Sequence, residues 1–295
     1  MSLSATKFSS AGVAGAGTMG GGIAITMARA GLATTVFDSS QAALERARRQ
    51  IGEFFEKSVA RGKLNAAQAD TSVKKLTFSN DIGAMALLNV VVEAIYEDLR
   101  AKHALLAKLD AICSPETLFL TNTSTLSITE LAAGCKRQDR VVGAHYCLPA
   151  QLMKLVEMSK GIHTSEDSWQ RAWAFELATN QQPVETQDRP GFVLNFFCVP
   201  YHNDVIRMIE ANVAKPAEID RAMKAAMDFA MGPCELIDLI GLDTQLRASE
   251  AFFSVTNNPR TAPPPLLRRM VAAGMLGRKT KRGFYDYGQD AMFGA

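Results

Sequence analysis

Apolar residues in the first half of the chain fall into short β-type runs separated by longer stretches with helical spacing. In order they read Ala11–Gly15 (AGVAG), a helix from about Thr18, Thr34–Asp38 (TTVFD), a charged helix from Gln41, Asn89–Tyr96 (NVVVEAIY), a helix through Leu109, and Leu118–Thr123 (LFLTNT). This alternation predicts an α/β fold in which a parallel sheet is joined by crossover helices. The first run, SSAGVAGAG, is poor in large β-branched residues for a central parallel strand. Two further apolar runs, Arg140–Cys147 (RVVGAHYC) and Leu152–Met158 (LMKLVEM), are placed to pair through a turn at Pro149. A polar connector, Pro183–Gly191 (PVETQDRPG), follows. From Phe192 the spacing is helical over Asn195–Val213, Pro216–Gly232 and Pro265–Gly277. A boundary near residue 187 is therefore expected, with a sheet domain over 1–187 and an all-α domain over 188–295. The helical part carries more Met, Phe and Leu than a segment of roughly a hundred residues can bury within itself. Docking on the first domain and on a second copy would cover them, which predicts a homodimer.

Composition narrows the function without naming it. At 295 residues, with 47% hydrophobic and 21% charged, the chain is long enough for a full core and slightly long for one domain. Thirty-two basic against thirty acidic residues give a formal net charge of +2, with no long run of one sign. Nothing here argues for nucleic acid or a membrane surface as partner. Phe8–Ala28 is uncharged, but its six glycines and several hydroxyl residues argue against a membrane helix, and the opening MSLSATKFSS has only one lysine, unlike an export signal. Five scattered cysteines, an odd number, fit reduced thiols in the cytoplasm, and no metal-ligand spacing is present.

Candidate chemistry begins at GAGTMG, where Gly15, Gly17 and Gly20, with Thr18 and Met19 between them, form a G-x-G-x-x-G motif between a β-type run and a helix. Such a turn presents backbone N–H groups and the positive end of a helix to a pyrophosphate. Asp38 closes the next β-type run, where an acidic side chain accepts hydrogen bonds from ribose hydroxyls and repels a 2′-phosphate. The pattern favours NAD over NADP. The plainer alternative is that Asp38 only caps the following helix.

Hydride transfer from a secondary alcohol also needs a base. Among the four histidines, His103 lies in a charged helical pattern, His163 follows Gly161 in a loop, and His202 falls in the helical part. His145 stands inside an apolar run, and Glu157 stands inside the next. If the two runs pair, the carboxylate would fix the imidazole tautomer and leave the other nitrogen as base. Spacing alone leaves equally open a satisfied core histidine and an incidental strand glutamate.

GAGTMGGGIA, VVEAIYEDLRAK, NTSTLSITELA, AHYCLPAQLMKLVEM, RPGFVLN, EIDRAM, MGPCELIDLIGLDT and LGRKTKRGFYDY occur in this order along almost the whole chain. Together they closely resemble the L-3-hydroxyacyl-CoA dehydrogenase family. The resemblance implies a Rossmann-type domain followed by a helical dimerisation domain, with NAD as cofactor and an L-3-hydroxyacyl-CoA as substrate. It makes His145 the base, Glu157 its orienting partner, and Ser124 and Asn195 donors to the substrate's oxygens. It places Glu97, Lys102, Ser124 and Lys279 among cofactor contacts, and Lys57, Ser58 and Arg61 on a helix that meets the CoA phosphates. For Glu97 and the lysines, an ordinary solvated face is the competing expectation, as a helix N-cap is for Ser124.

Three positions depart from the family pattern. Leu148 stands where an Asn is common, Phe196 where an Arg is common, and Cys234 where an aromatic is usual. Two other functions therefore stay in view. One is a related dehydrogenase of a small hydroxy acid such as a sugar acid or carnitine, favoured by Leu148 and opposed by GRKTKRGFYDY. The other is a non-catalytic dinucleotide-binding homologue, opposed by the presence of Ser124, His145, Glu157 and Asn195 together.

Overall fold

The structure, a computed structural model, describes residues 8–288. It divides into two compact units, one ending at Phe192 and the other beginning at Val193. Met1–Lys7, which hold the single lysine of the opening segment, lie outside the described residues.

The first unit is built on one eight-stranded sheet. Its elements run β1 (Ser10–Ala14), α1 (Thr18–Arg29), β2 (Ala33–Phe37), α2 (Gln41–Ala60), α3 (Ala66–Val73), β3 (Leu76–Ser79), β4 (Val90–Glu93), α4 (Leu99–Ile112), β5 (Leu118–Thr121), α5 (Ile128–Ala132), β6 (Val141–Tyr146), β7 (Leu155–Lys160), α6 (Glu166–Ala178) and β8 (Gln182–Thr186). The strand order is β3-β2-β1-β4-β5-β6-β7-β8. The first six strands are parallel, as the alternating pattern predicts, and β7 pairs antiparallel to β6 with β8 parallel to β7. Reading the order outward from β1 in both directions gives the doubly wound arrangement, whose crevices open at the carboxyl ends of the strands.

Helices cover both faces. On one, Ile23, Met27, Leu44, Ala47, Trp169 and Phe175 of α1, α2 and α6 pack on Val13, Val36, Val92, Val156 and Met158. On the other, Leu105, Leu106 and Leu109 of α4 and Ile128 and Leu131 of α5 pack on Val91, Phe119 and Val141. Strands buried on both faces read as near-continuous apolar runs, which is why VVVE and LFLT were legible. The small residues of β1 have a local cause. A Cβ at Gly12 would stand 2.5 Å from the Met85 sulfur and 2.6 Å from Leu88 Cδ1, so the helix side of this central strand leaves room for hydrogen only.

Two local expectations differ from what forms. The first residues of the polar connector are strand β8, and Pro183 is tolerated there because β8 is an edge strand with one side free of ladder bonds. The run beginning at Leu152 enters its strand only at Leu155, and Leu152 and Met153 sit exposed in the turn before it.

The second unit is helical: α7 (Leu194–Glu210), α8 (Pro216–Met227), α9 (Pro233–Ile240), α10 (Leu242–Thr256) and α11 (Pro265–Ala272). Pro216, Pro233 and Pro265 open α8, α9 and α11, where a missing N–H costs nothing. Gly241, at φ 102°, separates α9 from α10. Apolar spacing did not announce these two helices separately. Their buried face centres on Ile206, Ile237, Leu242 and Leu267. Among the described residues no helix is long and apolar enough to cross a membrane; the uncharged stretch from Phe8 is β1 followed by the short α1.

Candidate active site

The glycine motif forms the turn between β1 and α1. Gly15 has φ 117°, and a Cβ on it would lie 2.5 Å from the Ala94 carbonyl oxygen. Gly20 passes so close beneath the turn that a Cβ would fall 1.8 Å from the Gly15 carbonyl oxygen. At Gly17 nothing lies within 4 Å of a built Cβ, so the backbone faces open space where a pyrophosphate would sit. The helices α2, α3, α4, α5 and α6 each begin with a side-chain cap, from Ser40, Asn65, Asp98, Ser127 and Ser165. Helix α1 begins at Gly17 with none and carries no acidic residue in its first turn. Its free N–H groups and dipole suit an anion. Thr18 and Met19 open this helix, with Met19 turned onto the core.

Asp38 follows β2 and does not cap α2, since Ser40 does so by accepting from the Ala43 N–H. One Asp38 oxygen accepts from the Ala16 N–H at 2.9 Å and the other from the Ser40 N–H at 2.9 Å. The carboxylate is thus fixed at the rim of a cleft of about 980 Å³ lined by Gly15, Gly17, Thr18, Asp38, Ile95 and Tyr96. A negative group there accepts ribose hydroxyls and repels a 2′-phosphate.

The second constellation lies at the carboxyl ends of β4, β5 and β6. His145 and Glu157 are register partners across β6 and β7. Imidazole Nδ1 lies 2.9 Å from Glu157 Oε2, with His145 only 7% and Glu157 1% exposed. The carboxylate can only accept, so in the neutral imidazole Nδ1 carries the hydrogen and Nε2 keeps its lone pair. Nε2 faces the Ser124 hydroxyl at 3.3 Å, and the Phe192 ring, 5.5 Å away, flanks the imidazole. The arrangement presents a hydroxyl and a base nitrogen side by side, as removal of a proton from an alcohol requires.

Ser124 is not a helix N-cap; that position at α5 belongs to Ser127. Its loop is gathered on Glu97 instead. Glu97 Oε1 accepts from the Thr123 hydroxyl at 2.6 Å, the Ser124 N–H at 2.8 Å, the Thr125 N–H at 2.9 Å and the Thr125 hydroxyl at 3.0 Å. Burial alone would raise the Glu97 carboxyl, but the Lys102 ammonium, the Thr123 hydroxyl and the two N–H groups outweigh it and hold it below the usual carboxylate value. Lys102 does not lie on a solvated face. It is 1% exposed, and its ammonium meets Glu93 at 2.8 and 2.9 Å and Glu97 at 3.2 Å.

Glu93, with Thr121, Thr123 and Asp188, escaped the sequence reading. The available signal was a carboxylate closing the otherwise apolar VVVE, with a lysine nine residues on. Asp188 gathers the start of α5, accepting from the Ser127 and Thr129 hydroxyls and the Ile128 and Thr129 N–H groups at 2.7–3.0 Å. His103 has Nε2 2.6 Å from the Glu130 carbonyl oxygen.

The structure therefore brings Ser124, His145, Glu157, Glu97 and Lys102 into one network. Asn195, in the first turn of α7, and Lys279, ion-paired with Asp243, belong to the second unit. Lys57 pairs with Glu53 at 3.1 Å near the exposed end of α2, Ser58 donates to the Phe54 carbonyl, and Arg61 is the C-cap residue. Leu148 is 52% exposed in the turn after β6, Phe196 is exposed and Cys234 is buried.

Residues 10–189 match the model of the 3-hydroxyacyl-CoA dehydrogenase NAD-binding domain, and residues 191–287 match that of its C-terminal domain. A 3-hydroxybutyryl-CoA dehydrogenase of Mycobacterium tuberculosis is 39% identical over 278 residues, covering 94% of this chain and 97% of its own. The human mitochondrial hydroxyacyl-coenzyme A dehydrogenase is 37% identical over 283 residues, covering 93% and 90%. Among solved structures, FadB2 of M. tuberculosis superimposes with a TM-score of 0.92 at 38% identity over 95% of this chain and 99% of that one. With both domain models matched in order on a doubly wound sheet and a helical unit, the chain belongs to the 3-hydroxyacyl-CoA dehydrogenase family of NAD-dependent oxidoreductases.

Proposed function

We propose that the protein oxidises an L-3-hydroxyacyl-CoA to the 3-oxoacyl-CoA, reversibly, with His145 as base. The observation that carries this is the chain Ser124–His145–Glu157, in which a carboxylate fixes one imidazole nitrogen and the other faces a hydroxyl. The Ser124 hydroxyl holds a substrate oxygen, and Asn195, in the first turn of α7, is our further candidate for a substrate contact. Nε2 takes the alcohol proton, and Glu157 stabilises the imidazolium that results. NAD, when bound along Gly15, Gly17 and Asp38, supplies the hydride acceptor. In reduction the same nitrogen returns its proton to the oxygen.

Lys57 and Arg61 are our candidates for the CoA phosphates, supported by their exposure at the end of α2. A homodimer through the C-terminal helices accounts for the exposed Met227, Phe229, Leu239 and Phe253. A cytoplasmic location completes this reading and agrees with the odd, scattered cysteines.

The test is NADH oxidation by the purified protein with acetoacetyl-CoA, beside NADPH and a free 3-oxo acid as controls. Turnover of the thioester with preference for NADH is expected. Turnover of the free acid in its place, or of neither with NADH bound, would remove the acyl-CoA assignment.

A further inference from the structure

We propose that Tyr96 is a dinucleotide contact: its ring closes over the bound cofactor beside the glycine turn and sets how tightly NADH is held. The inference concerns the cofactor cleft alone and is independent of which thioester or acid is reduced.

The place of the ring follows from the backbone beneath it. Strand β4 ends at Glu93, and the next two residues run against the turn between β1 and α1. A Cβ built on Gly15 would stand 2.5 Å from the Ala94 carbonyl oxygen and 3.0 Å from the Ile95 nitrogen, so Tyr96 begins within one residue of the motif. The Ala94 N–H donates to the Ala14 carbonyl at 2.8 Å. The Asp98 N–H donates to the Tyr96 carbonyl at 2.9 Å, and Asp98 in turn caps α4. These bonds hold the main chain on both sides of Tyr96.

Neighbouring side chains take opposite surroundings. Ile95 packs against the core cluster that contains Leu105 and Leu106 of α4. Tyr96 joins neither face of the core and is 72% exposed, yet it lines the cleft of about 980 Å³ together with Gly15, Gly17, Thr18 and Asp38. Phe37 is the other aromatic residue lining that cleft, and it is packed against the core. The turn itself offers Gly15, Ala16, Gly17 and Thr18, side chains too small to cover a ligand resting on them. A large ring at the rim, without packing of its own, is apolar surface that a ligand can cover. Tyrosine also has only two side-chain torsions to fix, so ordering it on a ligand costs little entropy.

The test is the NADH dissociation constant, measured by fluorescence titration of the purified protein without substrate, for wild type, Tyr96→Phe and Tyr96→Ala. Phenylalanine keeps the ring and should hold NADH within about twofold of wild type; alanine removes it and should weaken NADH about tenfold, the scale of an aromatic ring taken out of water. Because the ring is so exposed in the free protein, the melting temperature of cofactor-free Tyr96→Ala should match wild type within about 2 °C. Equal NADH affinity in all three proteins overturns the proposal. So does a loss in Tyr96→Phe as large as in Tyr96→Ala, which would assign the contact to the hydroxyl, and so does a loss accompanied by a lowered melting temperature, which would make the ring part of the fold. Should Tyr96→Ala fail to fold, Tyr96→Gln, which keeps a long side chain without the ring, is titrated in its place with the same expectations. Turnover is not needed for the comparison: a parent that binds NADH without reducing acetoacetyl-CoA removes the reaction and leaves the contact standing.

Discussion

At His145, substitution by alanine removes the nitrogen that the proposed reaction uses as base and leaves Gly15, Gly17 and Asp38 untouched. A fall in kcat on the order of 10²–10⁴ is expected, with NADH affinity within about threefold of wild type. Steady-state turnover and a fluorescence titration check the two halves, and substantial residual turnover would remove His145 from the role of base. The pairing with Glu157 was legible because both residues interrupt apolar runs that flank one turn, and adjacent antiparallel strands bring such residues face to face. The Glu93–Lys102 pair was not legible. Its members come from a strand and a helix with an irregular segment between, and no periodicity states how a chain turns through Ala94–Asp98. A lysine among charged residues on a helix reads as solvated, and only the presence of two carboxylates under it makes burial affordable.

Elements take their places through their ends as much as their faces. Helix α5 has only five residues, too short to persist by its own hydrogen bonds, and it relies on Ser127 and Asp188 at its N-terminus. Asp188→Ala should therefore destabilise the first unit by roughly 1–3 kcal/mol, the range for losing hydrogen bonds to a charged acceptor. The shift in denaturant midpoint relative to wild type checks this, and no shift would show that the helix is held by Ile128 and Leu131 alone. The importance of Asp188 could not be read from DRPG, because its partners lie some sixty residues earlier. The strands that pattern missed or misplaced, β3, β8 and the start of β7, are those at the edges of the sheet or emerging from a turn. There polar residues and proline are permitted and the apolar signal thins.

For the folded molecule as a whole, the core carries a pH-sensitive carboxyl apart from the His145–Glu157 pair. Glu176 of α6 is fully buried against Tyr146, whose hydroxyl donates to it at 2.6 Å, and Glu176 Oε2 has no hydrogen-bond partner among the described residues. Burial pushes its carboxyl up to about 8, against the opposing hydrogen bond from Tyr146. A carboxyl raised in the folded state binds more protons there than in the unfolded chain between about 4.5 and 8. Its contribution is therefore full at the acid end of this window and is lost as pH rises through it. Unfolding free energy should fall by roughly 2–4 kcal/mol more between pH 5 and 8 in wild type than in Glu176→Gln. Equal pH dependence in both would show that the carboxyl ionises in place without cost.

The same sheet also explains how the site tolerates change. Glu157 meets His145 because it stands opposite on a reversed strand, and Ala144↔Met158 and Tyr146↔Val156 are the flanking pairs. The His145–Glu157 pair is thus a readout of strand alignment. Lengthening the exposed turn between β6 and β7 leaves that alignment to Val156 and Met158, whose burial resists slippage. Deleting Val156 would instead bring Met158 opposite the imidazole and turn the carboxylate toward α6. A chain so altered would set a carboxylate against the apolar side chains of α6, at a cost to the fold, and would leave the imidazole without its carboxylate partner.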